Sequence, residues 1–131
     1  MGAFRKLAAT RNHDFCFTPA HELARRIKAR DISAVEVMDA HLAQIERVNS
    51  SVNAMVTLVP EQARAAAAEI DARLARGADP GVLAGLPVAH KDLLLTCGIR
   101  TTFGSPIYRD FLPDKGSVLP VDIAHEEFPD L

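Results

Sequence analysis

The stretch "GLPVAHKDLLLTCGIRTTFGS", from Gly85 to Ser105, carries more information than any other part of this 131-residue chain. It opens on a short apolar run, Leu86-Pro87-Val88-Ala89, that ends at Lys91-Asp92. A second apolar patch, Leu93–Leu95, follows, and Gly98, Gly104 and Pro106 punctuate the rest. Pro87 has no N–H to give to a ladder, so the run reads as an edge strand or a strand start. On residue type alone, Lys91 is a solvated loop charge, because lysine is seldom buried without a partner. His90 beside it lacks a spaced carboxylate or cysteine. The histidines at 13, 21, 41, 90 and 125 form no H-x-x-x-H and no metal cluster.

Upstream of this stretch the pattern is helical. Thr18-Pro19 reads as a helix start, with Pro at the first helical position. Ala20, Leu23, Ala24 and Ile27 recur at helical spacing and predict an amphipathic helix over 19–29. A basic cluster, Arg25, Arg26, Lys28 and Arg30, closes it, where cations favour a helix C-terminus. Ser33 followed by Glu36 is a capping box, and a second helix is predicted over 34–48. Its apolar face is Val35, Met38, Leu42 and Ile45, with Ser50-Ser51 as a turn. "NAMVTLV" (53–59) alternates like a strand, and Pro60 ends it and opens a third helix. Ala63, Ala67, Ile70 and Leu74 line that helix, Gly77 is its C-cap, and 77–81 is a loop. The order helix, helix, strand, helix, strand predicts an α/β or α+β protein.

Composition narrows the function classes. The chain is 48% hydrophobic and 24% charged with a formal net charge of -2. That argues against wholesale disorder, and the absence of a basic stripe gives no direct indication of a nucleic-acid partner. No apolar run approaches the roughly 18 residues of a membrane span, so no membrane partner is expected. The N-terminus has no signal-peptide core, and Lys6 stands where a myristoylation signal needs Ser or Thr. Cys16 and Cys97 make no metal or disulfide spacing and read as free thiols. The expected localisation is cytoplasmic, and no cofactor is called for.

With Gly85, Pro87, Val88, Lys91 and Asp92, then Gly98, Thr101, Thr102, Gly104 and Ser105, the stretch resembles the lysine segment of the amidase signature family. The helix pair, the "N-A-x-V" segment and the Ala-rich helix fit the same family, so the resemblance covers about 18–118. It implies an α/β fold, a mixed sheet covered by helices, of which this chain would hold the N-terminal helices and first strands. It also implies cleavage of amide C–N bonds by a Ser–cis-Ser–Lys triad acting on a small amide substrate. Lys91 matches the lysine, the ultimate base. A free lysine has a pKa near ~10.4, so work as a base near neutrality requires a downward shift of roughly 3 units. Serine–lysine pairs are a known means of activating a nucleophile.

The family's two serines lie in a Gly- and Ser-rich segment well beyond its lysine. The serines here, at 33, 50, 51, 105 and 117, sit in no such cluster. After "PDKGSV" (113–118) the text becomes "LPVDIAHEEFPDL", where the resemblance implies another helix. The organisation expected is a lead-in over 1–17, the N-terminal part of an amidase domain over 18–118, and a divergent tail over 119–131 from truncation or a frameshift. Such a chain keeps the lysine, lacks both serines and is expected to be inactive alone, with exposed edges that favour self-association. Within the family a simple amidase is the preferred reading and the A subunit of an aminoacyl-tRNA amidotransferase the runner-up. A non-enzymatic remnant or interaction module is the remaining alternative.

Overall fold

The computed structural model describes residues 15–116. The lead-in residues 1–14 and everything from Ser117 onward, including the divergent tail, lie outside the described residues. The chain divides into two compact units. Within the described residues, one comprises 15–55 and 60–87, the other 56–59 and 88–116.

Among the described residues, the first unit carries the helices α1 (Ala20–Lys28), α2 (Ala34–Val52) and α3 (Pro60–Ala75). Pro19 stands just before α1 rather than inside it, and its carbonyl accepts from the N–H groups of Glu22 and Leu23. The helix ends in a Schellman turn: Arg30 N–H reaches the Ile27 carbonyl and Asp31 N–H reaches that of Arg26. Arg30 holds the left-handed position of this turn at φ 59. The basic cluster is dispersed. Arg25 pairs with Glu22, Lys28 with Asp79, and the Arg26 guanidinium lies over the Phe15 ring at 5.6 Å.

Helix α2 starts as the sequence dictates. The Ser33 hydroxyl accepts from Glu36 N–H at 3.0 Å, and the Glu36 carboxylate accepts from Ser33 N–H at 2.9 Å. A second cap comes from α3: the Asp71 carboxylate accepts from Ala34 N–H at 2.8 Å and Val35 N–H at 3.2 Å. The helix runs on to Val52, so Ser50-Ser51 is helical and not a turn. Asn53 stops it at φ 48, and the Asn49 side chain then bonds the Met55 backbone in both directions. Helix α3 ends as expected, with Gly77 at φ 79 and the paired bonds Gly77 N–H to Leu74 and Ala78 N–H to Arg73.

The core comprises Phe15, Leu23, Ile27, Ile32, Ala34, Val37, Ala40, Ala67 and Leu74. Phe15 therefore belongs to the core, although it falls in the expected lead-in. On α2 the buried line is Ala34, Val37 and Ala40, while Val35, Met38, Leu42 and Ile45 are half-buried. Alanines at two of the three buried positions let α2 approach its neighbours closely, and the larger side chains splay to the flank. Gly85 closes this unit at φ 82, where a Cβ would lie 3.0 Å from Ala34 Cβ and 3.1 Å from Ile27 Cγ2.

Of the α/β expectation the helical part is present, while the described residues contain no β-strand and so do not show the sheet. The segments 53–59 and 86–89, both read as strands, are irregular, and the one β-bridge, Thr96 with Ile99, is isolated. Alternation of apolar residues makes a segment fit for a sheet, but a strand exists only where a neighbour completes the ladder. Neither segment has one here.

Candidate functional site

The second unit holds the Lys91 loop. Residues 88–116 have little regular structure, with a single short 3-10 helix at Pro106–Tyr108, so hydrogen bonds through Asp92 and two threonines define the loop. The Lys91 carbonyl accepts from Leu93 N–H at 2.7 Å and Leu94 N–H at 3.0 Å, which bends the chain sharply after the lysine. Asp92 then reaches across ten residues. Its Oδ1 accepts from Thr102 N–H at 2.8 Å, and its Oδ2 accepts from the Thr102 hydroxyl. The Asp92 carbonyl accepts from Phe103 N–H at 3.1 Å, and Thr102 Oγ1 accepts from Gly104 N–H at 3.2 Å. Together these four bonds form a latch between the two halves of the motif.

The latch holds a bent backbone. Phe103 sits at φ 53, in the left-handed region that a bulky residue adopts only under constraint from its surroundings. Its bonded neighbour Thr102 is 9% exposed and Thr101 is 2% exposed. Thr101 N–H donates to the Phe111 carbonyl at 3.1 Å, and Gly98 N–H donates to that of Pro113 at 3.0 Å. Arg100 braces the same unit, donating to the Val56 carbonyl at 3.2 Å, Thr57 Oγ1 at 3.1 Å and the Arg109 carbonyl at 3.3 Å. Phe103, Tyr108 and Phe111 stack against each other with ring centroids 5.1 to 6.2 Å apart, on an exposed surface.

Electrostatics follow the same bonds. The Thr102 hydroxyl, then the Thr102 N–H, hold the Asp92 carboxyl below its ordinary range, and the Gly104 N–H and the Arg100 charge add to this. Lys91 itself is exposed, and no ion pair joins it to an acid among the described residues. His90 is exposed beside it. Among the described residues, no group of His, Cys, Asp and Glu side chains is placed to hold a metal ion, and no helix is long and apolar enough to cross a membrane. Cys16 and Cys97 are free thiols.

Sequence reading singled out Lys91 and passed over the bonding of Asp92 to Thr102. The signal was present: an acid directly after the lysine, and a hydroxyl at fixed spacing before a glycine. Ser105 stays half-buried, with its N–H on the Thr102 carbonyl, and takes part in closing the turn.

Comparison with known proteins places this loop in context. The profile of a family described as Amidase matches residues 36–122. The A subunit of glutamyl-tRNA(Gln) amidotransferase from Carboxydothermus hydrogenoformans is 46% identical over 97 residues, covering 74% of this chain and 20% of that protein. The protein of the same name from Geobacter metallireducens is 50% identical over 93 residues, covering 71% of this chain and 19% of its own length. A solved structure described as "An unexpected vestigial protein complex reveals the evolutionary origins of an s-triazine catabolic enzyme" contains a similar chain. It superposes with a TM-score of 0.72 at 35% identity, covering 76% of this chain and 22% of that one. The chain thus spans about a fifth of the length of the proteins it matches.

Proposed function

The chain belongs to the amidase family, and from that membership we propose that Lys91 is the general base of a site that cleaves amide C–N bonds. In this reading the lysine takes a proton, through an intermediate serine, from the serine that attacks the amide carbonyl. The observation that carries it is the Lys91-Asp92 loop, pinned to Thr102 by both oxygens of one carboxylate. That bonding fixes the backbone directly after the lysine, as a base must be fixed if it is to meet a proton at hydrogen-bond distance.

The serines at 33, 50, 51 and 105 do not supply the nucleophile in this reading. Ser33 is a helix cap, Ser50 and Ser51 lie in α2, and Ser105 closes a turn. A lysine that gives up its proton near neutrality must be desolvated, and Lys91 is exposed. We therefore expect the 131-residue chain by itself to be inactive, as a fragment that carries the base and needs both a covering surface and the serines. The reading as the A subunit of an amidotransferase shares this lysine and the same amide chemistry, and the names of the curated relatives favour it over a simple amidase.

The test is hydrolysis of simple primary amides, and of glutamine, by the purified chain, followed as ammonia release. No turnover is expected, and Lys91→Ala should change nothing. Clear turnover that Lys91→Ala abolishes would overturn the inactive-fragment reading, and turnover indifferent to Lys91 would overturn the assignment of the base.

A further inference from the structure

The adjacency of Lys91 and Asp92 poses a physical problem for the function proposed above, on which this inference rests. A carboxylate one residue from a lysine is a ready counter-ion, and pairing favours the charged ammonium. A base must instead shed that proton. We propose that Thr102 is a positioning residue for Lys91: its N–H and hydroxyl engage both oxygens of Asp92 and so withhold this carboxylate from the neighbouring ammonium.

Several observations converge on Thr102. It supplies both donors, one to each oxygen of the carboxylate. Its hydroxyl accepts from Gly104 N–H at 3.2 Å, which leaves its single proton for Asp92. The β-branched side chain has few χ1 choices, and at 9% exposure it is held among its neighbours. Phe103 N–H on the Asp92 carbonyl fixes the backbone of the acid as well, so the carboxylate can turn toward the lysine only by side-chain rotation, which breaks both bonds to Thr102. The other charge acting on Asp92 is Arg100, which is itself anchored to Val56, Thr57 and Arg109.

The experiment is acetylation of the intact chain by limiting acetic anhydride, with site occupancy read by mass spectrometry and exposed Lys115 as internal reference. Thr102→Val frees the carboxylate and should slow acetylation of Lys91 roughly two- to fivefold, the scale of an exposed ion pair. Thr102→Ser should keep the wild-type rate, and Asp92→Asn combined with Thr102→Val should restore it. An unchanged rate in Thr102→Val, or a double variant that stays slow, overturns the proposal. A titration of the unsubstituted chain by nuclear magnetic resonance gives an answer even if Thr102→Val does not fold. Between about pH 2 and about pH 7, which spans the carboxylate range, the Thr102 amide should follow Asp92 while the Lys91 Cε resonance stays still. A Lys91 resonance that tracks Asp92 would refute it. Both measurements read the position of a carboxylate and are blind to turnover. Failure here therefore leaves the assignment of Lys91 as the base standing, and failure of that assignment leaves this result standing.

Discussion

Gly85→Ala should be the most damaging small substitution in the first unit. Two effects add. Gly85 holds φ 82, and forcing a residue with a Cβ into the left-handed region costs about 1–2 kcal/mol. The new Cβ would also stand 3.0 Å from Ala34 Cβ, 3.1 Å from Ile27 Cγ2 and 3.3 Å from Ile27 Cδ1. Ala34 and Ile27 are 0% and 1% exposed, so neither can move into solvent, and overpacking of this kind costs about 1–3 kcal/mol. The sum, about 2–5 kcal/mol, is a large part of the ~5–15 kcal/mol that holds an ordinary domain together. Gly77→Ala is the control: its φ is 79, yet a Cβ there meets nothing within 4 Å. It should lose only the backbone part, about 1–2 kcal/mol. Urea unfolding followed by circular dichroism measures both, with the slope checked for constancy. Equal losses at the two glycines would refute the claim that Gly85 is required for its close approach to α1 and α2.

Other perturbations probe individual bonds. Asp71→Ala removes the carboxylate that caps α2 from α3 and leaves the N–H of buried Ala34 without its partner, so urea unfolding should show a loss of roughly 1.5–3 kcal/mol. Arg30→Gly should stabilise the chain by about 0.5–1 kcal/mol in the same assay, because Arg30 sits at φ 59 in a Schellman turn that glycine fits without strain. The latch should open in acid. Asp92 is held below its ordinary value by Thr102, so its contribution is present above the unfolded-state pKa of about 3.9 and is lost as pH falls through the lower folded value. The Thr102 amide resonance should report that loss, and Thr102→Val should move the midpoint upward. A midpoint that ignores the substitution would show that the hydroxyl bond is not its cause.

Much of the helical layer was legible because its determinants are short-range. The Ser33–Glu36 box spans three residues, Gly77 ends α3 through bonds to Leu74 and Arg73, and the stripe from Ala67 to Leu74 has the helical period. The lysine motif was legible too, through its resemblance to a family that the profile match also gives. The flank of α2 was misread because the largest apolar side chains were taken for the buried ones. The burial of Ala34, Val37 and Ala40 depends on how closely α2 is approached, and size alone does not give that.

The sequence by itself determined the existence of the three helices, the Ser33–Glu36 and Gly77 caps and the place of Lys91 in a recognisable loop. Only the tertiary structure decided what depends on residues far apart in the chain. It brought Asp71 onto the N-terminus of α2 across 37 positions and turned Asp92 toward Thr102 across ten. It also left 53–59 and 86–89 without a ladder. The reason is physical: a cap or a helical period is satisfied within a turn or two of its own chain. A strand, a buried face or a carboxylate between two possible partners is settled by which distant groups the fold holds within bonding distance.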